Sequence, residues 1–577
     1  WYLFQCRNLP QRAINFKKND NILEKVLVNL EKKIKKLKKI NPTLSGKTTY
    51  FSNMSDWNPA EMIGSKPKPL SISLYSELIT NSVWATQRKN YGYKNVAPNI
   101  LMINLAGSPY IDMRTDFNSF LPNNIPKKIE KKIIESLLKN FSSKTFLHDK
   151  IEFDLIPTCY DFLIKKNENL DYLTNSEKEL YFLKLKDLTN NLFEKKNDLL
   201  NYEINKFDVL NKKINQIKIS KLSEIQKIFF LIDDCKNFGT LPFSGIARLA
   251  FIFTSFLRSF KKLKILNQEE IENIYSNTDT VTKHINRESL KALKSSKLKK
   301  SFLAKYGHLR PSTYSLSSLN YNEGFNIYFP KIKKNNVRNK IKNFSLSKKK
   351  IIQINSLFKK HKLKINAQEF FKFLKESIKY REYGKFIFSK SINEIFLNLI
   401  KLGKEVKIKR DDLEYINIKT ILSSYNNLEP TKLQNILKKE IIKNKKDFEI
   451  LKNIKLSDVI KNSKEVYVHQ QTLSKGNYIT SKKVNGQIYY IRNQNFSNNL
   501  ENKIILIDNA DPGYDFIFNR NIKGLVTKYG GANSHMAIRC LELKIPAIIG
   551  LGPKNFDQIK NKKMLEFDCE QKTFTFF

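Results

Sequence analysis

"GLVTKYGGANSHMAIRCLELKIPAIIG", residues 524–550, contains in order an apolar run, a Gly-Gly pair, a helix-compatible stretch and a second apolar run. The run at 523–529 reads as a buried strand. Gly530-Gly531 lets the backbone turn sharply and come near a ligand. Ser534 is a good N-cap, which places His535 in the first turn of a helix continuing through Ala537, Leu541 and Leu543. "IPAIIG" then returns as a second strand. This order predicts an α/β unit with a histidine at the N-terminal end of its helix. There the helix dipole disfavours an imidazolium, and free backbone N–H groups favour an anion carried on the ring. A neutral imidazole poised to accept a phosphoryl group fits the position; the alternative is a structural histidine capping a turn.

Outward from this stretch, "KEVYVHQ", "GQIYYIRN", "NKIILIDN", "PAIIGLG", "KMLEFDC" and "KTFTFF" are further β-like runs. They predict a compact α/β domain over 466–577, of ordinary domain size. Residues 13–465 read as mainly helical, beginning with a charged helix over 13–40. Further helical blocks cover about 125–300, 366–403 and 409–451, and residues 440–465 read as a linker or exposed helix. The expected fold class is multidomain α+β, a large mainly helical middle domain followed by a small α/β domain.

The 577 residues carry 103 Lys and Arg against 55 Asp and Glu, a net charge of +48. The excess is mostly Lys spread along the whole chain and accompanied by Asn, Ile and Phe, so it reads as compositional drift and not as a nucleic-acid surface. Two stretches depart from that filler: residues 50–122, including "SDWNPAEMIGSKPKPLSISLYSELITNSVW", and "DDCKNFGTLPFSGIARLAFIFTSFLRSF" at 233–260. Structure or ligand constrains them. Cys6, Cys159, Cys235, Cys540 and Cys569 form no CxxC pair, which argues against a disulfide framework or zinc knuckle and fits a cytoplasmic setting. The most apolar stretches read as too short and interrupted to span a bilayer, so no membrane partner is expected.

Other candidate residues lie in the middle domain. "REYGKF" puts Arg381 and Lys385 at i and i+4 on one helix face, able to clamp a phosphoryl group or to form a solvated basic face. "YGHLRP" offers Tyr306, His308 and Arg310 in a Gly/Pro-punctuated loop. His308 suits a general base for an acceptor hydroxyl, or a helix-end histidine satisfied by backbone. Asp112 and Arg114 are acceptor contacts or a buried ion pair, with the pair preferred.

The whole 524–550 string closely resembles the phosphohistidine loop of the phosphoenolpyruvate-utilising enzymes: phosphoenolpyruvate synthase, pyruvate phosphate dikinase and rifampicin phosphotransferase. The shared pattern falls on Gly530, Gly531, Ser534, His535, Ala537, Ile538 and Ile545-Pro546-Ala547. Asn533 stands where dikinases often carry a regulatory Thr, which argues against that type of control. The opening "WYLFQCRNLP" resembles the last strand of the family's ATP-grasp domain, and by that resemblance Gln5 and Arg7 would face nucleotide phosphates and Mg2+. "REYGKF" and "YGHLRP" resemble segments of rifampicin-phosphotransferase-like proteins. Synthase and dikinase continue past the histidine domain into a TIM barrel, and this chain stops at Phe577. The resemblance implies three parts: 1–12 as the end of a truncated ATP-grasp domain, 13–465 as an acceptor-binding domain, and 466–577 as a swivelling phosphohistidine domain. It also implies an ATP-dependent phosphotransferase, with ATP and Mg2+ bound through an upstream ATP-grasp domain in cis or on a separate subunit. Phospho-His535 would serve a small-molecule acceptor. On that reading this chain alone is inactive with ATP. The alternatives are a phosphocarrier serving a partner protein and a basic nucleic-acid-binding protein.

Overall fold

A computed structural model describes residues 8–10, 20–194, 196–329, 344–425, 429–470, 475–491, 500–532 and 534–577. The charged N-terminal stretch forms helix α1 (Asp20–Leu37). Its apolar positions Leu27, Leu30 and Ile34 pack on a four-stranded sheet through Phe51, Leu105, Tyr110 and Ile460. That sheet, in the order β3 (Met102–Leu105), β4 (Ser108–Asp112), β2 (Phe51–Ser52), β5 (Val459–Ile460), is antiparallel throughout. The middle region is therefore not purely helical. Residues 440–465 are not a linker either: the helix Pro430–Leu451 leads back into β5, which buries its two residues beside β2.

Five helices frame the site. The short α2 (Pro59–Ile63) opens with Pro at its first turn. Helices α3 (Lys196–Ile219) and α4 (Glu224–Cys235) flank α5 (Leu241–Lys262) and α6 (Ala367–Glu405). Helix α6 runs 39 residues and is started by a capping box in which Asn366 and Glu369 satisfy each other's backbone N–H. Helix α4 passes through a π turn at Lys236–Thr240 into α5, so Glu224–Lys262 is one continuous helical rod. This corrects the expectation of an apolar stretch too short to cross a membrane. The rod is long and apolar enough, but most of its apolar window is buried inside the protein, as a core helix requires.

The C-terminal region holds a seven-stranded mixed sheet, ordered β13 (Thr573–Phe576), β12 (Met564–Asp568), β8 (Lys483–Tyr490), β9 (Ile504–Asn509), β10 (Gly524–Tyr529), β11 (Ala547–Ile549), β7 (Asn477–Ile479). The pairs β8–β9, β9–β10 and β10–β11 are parallel, and the outer pairs are antiparallel. Strands β9 to β11 are nearly continuous apolar runs because both faces are covered. Ile505, Ile507 and Leu525 join the main core, while Ile504, Leu506 and Val526 point the other way against Phe556 and Ile559. Each β-like run of this region contains a strand. "KEVYVHQ" contributes β6 (Val468–Gln470), which leaves this sheet and pairs antiparallel with β1 (Asn8–Pro10). The observed architecture is the α+β organisation expected, with a helical body and a C-terminal sheet domain.

Candidate active site

Helix α7 (His535–Leu543) follows β10 through Gly530 and Gly531, with Ser534 as N-cap accepting the Ala537 N–H at 3.2 Å. Gly530 sits at φ +153°, and a Cβ there would lie 2.7 Å from Ile549 Cγ2, so a side chain is excluded at the turn. The next amide, Gly531 N–H, donates to Glu61 Oε2 of α2 at 3.1 Å. Asn533 lies outside the described residues.

His535 is 4% exposed and is held from both sides. Its Nδ1 hydrogen-bonds Glu382 of α6, and its Nε2 meets Asp515 Oδ1 at 2.9 Å. Burial opposes charge on the ring, but the carboxylates of Asp515 and Glu382 outweigh it and lift His535 from 6.5 to about 9. Glu382, although buried, is drawn down to about 2 by the histidine. The expectation of a neutral imidazole is therefore corrected. A helix dipole contributes about 0.3–1 kcal/mol against the cation, less than two buried carboxylates contribute in its favour. A phosphoryl group on either ring nitrogen has to displace one of these carboxylates, so the contacts seen are those of the unphosphorylated ring. Behind Asp515 stands Arg539, fully buried on α7, with Nε 3.5 Å from the Asp515 carboxylate and a second link to Glu542.

Two compartments meet at His535. The larger, with about 1090 Å3 of space partly open to solvent, is walled by α2, α5, α6 and the His535 loop. Arg381 and Lys385 both line it, so the one-face spacing puts both cations beside His535 and not on a solvated surface. Arg381 also lies over the Phe251 ring at 5.7 Å, and burial pulls the Lys385 ammonium below its usual value. Glu61 lines the same space, its carboxyl raised to about 7 by burial.

The smaller compartment, about 520 Å3, is lined by His308, Arg310, Glu382, Lys385, Asp515 and His535 among others. His308 is pushed down to about 3 by burial, so it is neutral and donates Nε2–H to the Phe386 carbonyl at 3.1 Å. That is the backbone-satisfied alternative, and it makes His308 a weak base. Arg310 is committed to Asn393 Oδ1 at 2.5 Å and Ser318 O at 3.3 Å, and lies over Phe396. Tyr306 is buried between Phe302 and Phe386 and lines neither compartment. The "YGHLRPSTY" loop instead seats the C-terminal domain. Thr313 N donates to Asp511 at 3.3 Å, and Gly513 lies so close to the Arg310 carbonyl that a Cβ would overlap it. Gln5 and Arg7 lie outside the described residues. Asp112 and Arg114 form no direct ion pair: Asp112 caps the helix Met113–Ser119, and Arg114 donates to Lys39 O and Leu37 O. Among the described residues no group of three or more His, Cys, Asp or Glu is placed to hold a metal ion.

Sequence reasoning missed Glu382, Asp515 and Glu61. Glu382 sits inside the quoted "REYGKF", between the two cations that were singled out.

A βαβ unit that presents a buried, carboxylate-clamped histidine from a helix N-terminus into a cation-lined cavity defines a phosphoryl-carrying domain docked on a helical body. Residues 500–572 match the family model described as PEP-utilising enzyme, mobile domain, and this C-terminal unit belongs to that family. It is a phosphohistidine-carrying phosphotransfer domain. No curated protein matches the chain.

Proposed function

We propose that the chain relays a phosphoryl group from ATP through His535 to a small-molecule acceptor held in the larger compartment. The observation behind this reading is the seating of His535 in the wall of a cavity that Arg381 and Lys385 also line. ATP with Mg2+ supplies the phosphoryl group through an upstream ATP-grasp region, fused or on a separate subunit. A carrier serving only a partner protein has no use for such a cavity beside a buried histidine.

In the delivery step an acceptor hydroxyl oxygen forms a bond to phosphorus, and the N–P bond breaks with its electron pair returning to the ring nitrogen. Arg381 and Lys385 stabilise the charge on the transferring oxygens. The hydroxyl proton passes to the freed ring nitrogen by way of Glu61. Of the acidic and imidazole groups beside the ring, Glu382 at about 2 and His308 at about 3 are too weak as bases, whereas Glu61 is at about 7. With the second ring nitrogen already protonated against a carboxylate, the product is the imidazolium that the docked site stabilises, which favours release of the phosphoryl group here.

The test is acid-labile, alkali-stable phosphate mapped to His535 by mass spectrometry, after loading from ATP on a polypeptide that includes the upstream region. The label is expected to vanish in His535→Ala. Label that survives that substitution overturns the assignment.

A further inference from the structure

Away from His535, the larger compartment ends in polar atoms that have no hydrogen-bond partner among the described residues. They are the Nε–H of Arg88 and of Arg248, the indole N–H of Trp57, Nδ1 of His148 and Oδ1 of Asp149. Arg88, Arg248 and His148 are 2%, 4% and 4% exposed. A buried donor or acceptor left unmade costs about 1–3 kcal/mol, and folded proteins carry few of them. Five on the lining of one cavity mark the contact surface of a ligand.

The atoms also indicate its chemistry. Three of the five are fixed donors and one is a fixed acceptor, which complements a molecule with several oxygen acceptors and at least one hydroxyl. Its charge follows from how the cations at this end are used. Arg88 is paired with Asp56 at 2.7 Å and Arg248 with Glu152 at 2.6 Å, and Lys150 lies 3.4 Å from Asp149. Each positive charge is already matched by a carboxylate, so an anionic ligand would meet Asp56, Asp149 and Glu152 without gaining a new counter-charge. The cations beside His535 stand at the phosphoryl end. Trp57, Phe243 and Phe388, in ring contact at 6.1 and 5.1 Å, supply an apolar wall of the kind that accepts the C–H face of a sugar ring.

We propose that the acceptor is a neutral polyhydroxylated compound, a sugar or polyol, with one hydroxyl at His535 and others on Arg88, Arg248, Trp57 and Asp149. This rests on the phosphotransfer reading above and narrows it, setting aside carboxylate acceptors.

Glucose and glucuronate differ at one carbon, neutral in the first and anionic in the second, and so isolate the charge. Isothermal titration calorimetry on the whole chain is expected to show saturable glucose binding, with glucuronate weaker by at least about tenfold. Trp57→Phe keeps the ring and removes the N–H, and should weaken glucose by about three- to tenfold. Asp149→Asn should narrow the gap between the two ligands. Equal or tighter binding of glucuronate, no saturation by glucose up to about 0.1 M, or an unchanged Trp57→Phe affinity overturns the proposal. Calorimetry does not require phosphorylation. Missing label at His535 with this selectivity intact defeats the phosphotransfer reading alone, whereas label at His535 with glucuronate preferred defeats only the acceptor class.

Discussion

Replacing Glu382 by Gln tests the electrostatics of the docked histidine directly. His535 is lifted from 6.5 to about 9 in the presence of Glu382 and Asp515. At about 1.4 kcal/mol per pH unit this is roughly 3 kcal/mol of preference for the imidazolium. The sign is fixed by both partners. The stabilisation from His535 is complete below 6.5 and is lost as pH rises through about 9. That from Glu382, depressed from 4.5 to about 2, is complete above 4.5 and is lost as pH falls through about 2. The contact is therefore at full strength between about 4.5 and 6.5 and weakens on the alkaline side first. Glu382→Gln removes one of two carboxylates and should lower the His535 midpoint by about 1–3 pH units. Glu382→Gln with Asp515→Asn leaves burial unopposed, and the midpoint should drop below 6.5. Nitrogen chemical shifts of labelled histidine, followed against pH and assigned with His535→Ala, read the midpoint. A wild-type midpoint near 6.5, or one that Glu382→Gln does not move, refutes the clamp.

Arg381→Ala and Lys385→Ala should each slow delivery from phospho-His535 by about 10²–10³ with an unchanged circular dichroism spectrum; an unaltered single-turnover rate removes them from the transfer step. Gly530→Ala places a Cβ 2.7 Å from Ile549 Cγ2 and 3.0 Å from Ala510 Cβ at a positive φ, and should cost about 1–3 kcal/mol in thermal unfolding. Glu61 is raised from 4.5 to about 7 by burial, so its stabilisation is complete below 4.5 and is lost as pH rises through about 7. Glu61→Gln should therefore melt higher than wild type at pH 8 by a margin absent at pH 4.5, and an equal margin at both refutes that account.

What the sequence disclosed was chemistry written in neighbouring residues. The turn at Gly530-Gly531, the cap at Ser534 and the apolar runs of β9 to β11 are local signals, and each appears where its residues predict. Arg381 and Lys385 were legible as a pair because a helix puts i and i+4 together. What faces them was not legible, because periodicity reports a helix face and not its counterpart. Glu382 reaches the imidazole across 153 residues and Asp515 across 20. That gap is also why the dipole argument gave the wrong charge for His535. One weaker signal did reach across the fold: the two segments that resist the lysine-rich filler supply Asp56, Trp57 and Glu61 on one wall of the cavity and Phe243, Arg248 and Phe251 on another.

The two carboxylates that hold His535 belong to different parts of the chain. Asp515 lies in the C-terminal domain beside the histidine, and Glu382 lies on α6 of the helical body. Drawing the domain away from the body would leave the imidazole with one counter-ion in place of two, and near neutral pH the ring would hold its proton less tightly. Seating the domain is then also a protonation, and leaving is a deprotonation. The heat of seating would depend on the ionisation enthalpy of the buffer, and the mechanical position of the histidine becomes a quantity that solution acidity can shift.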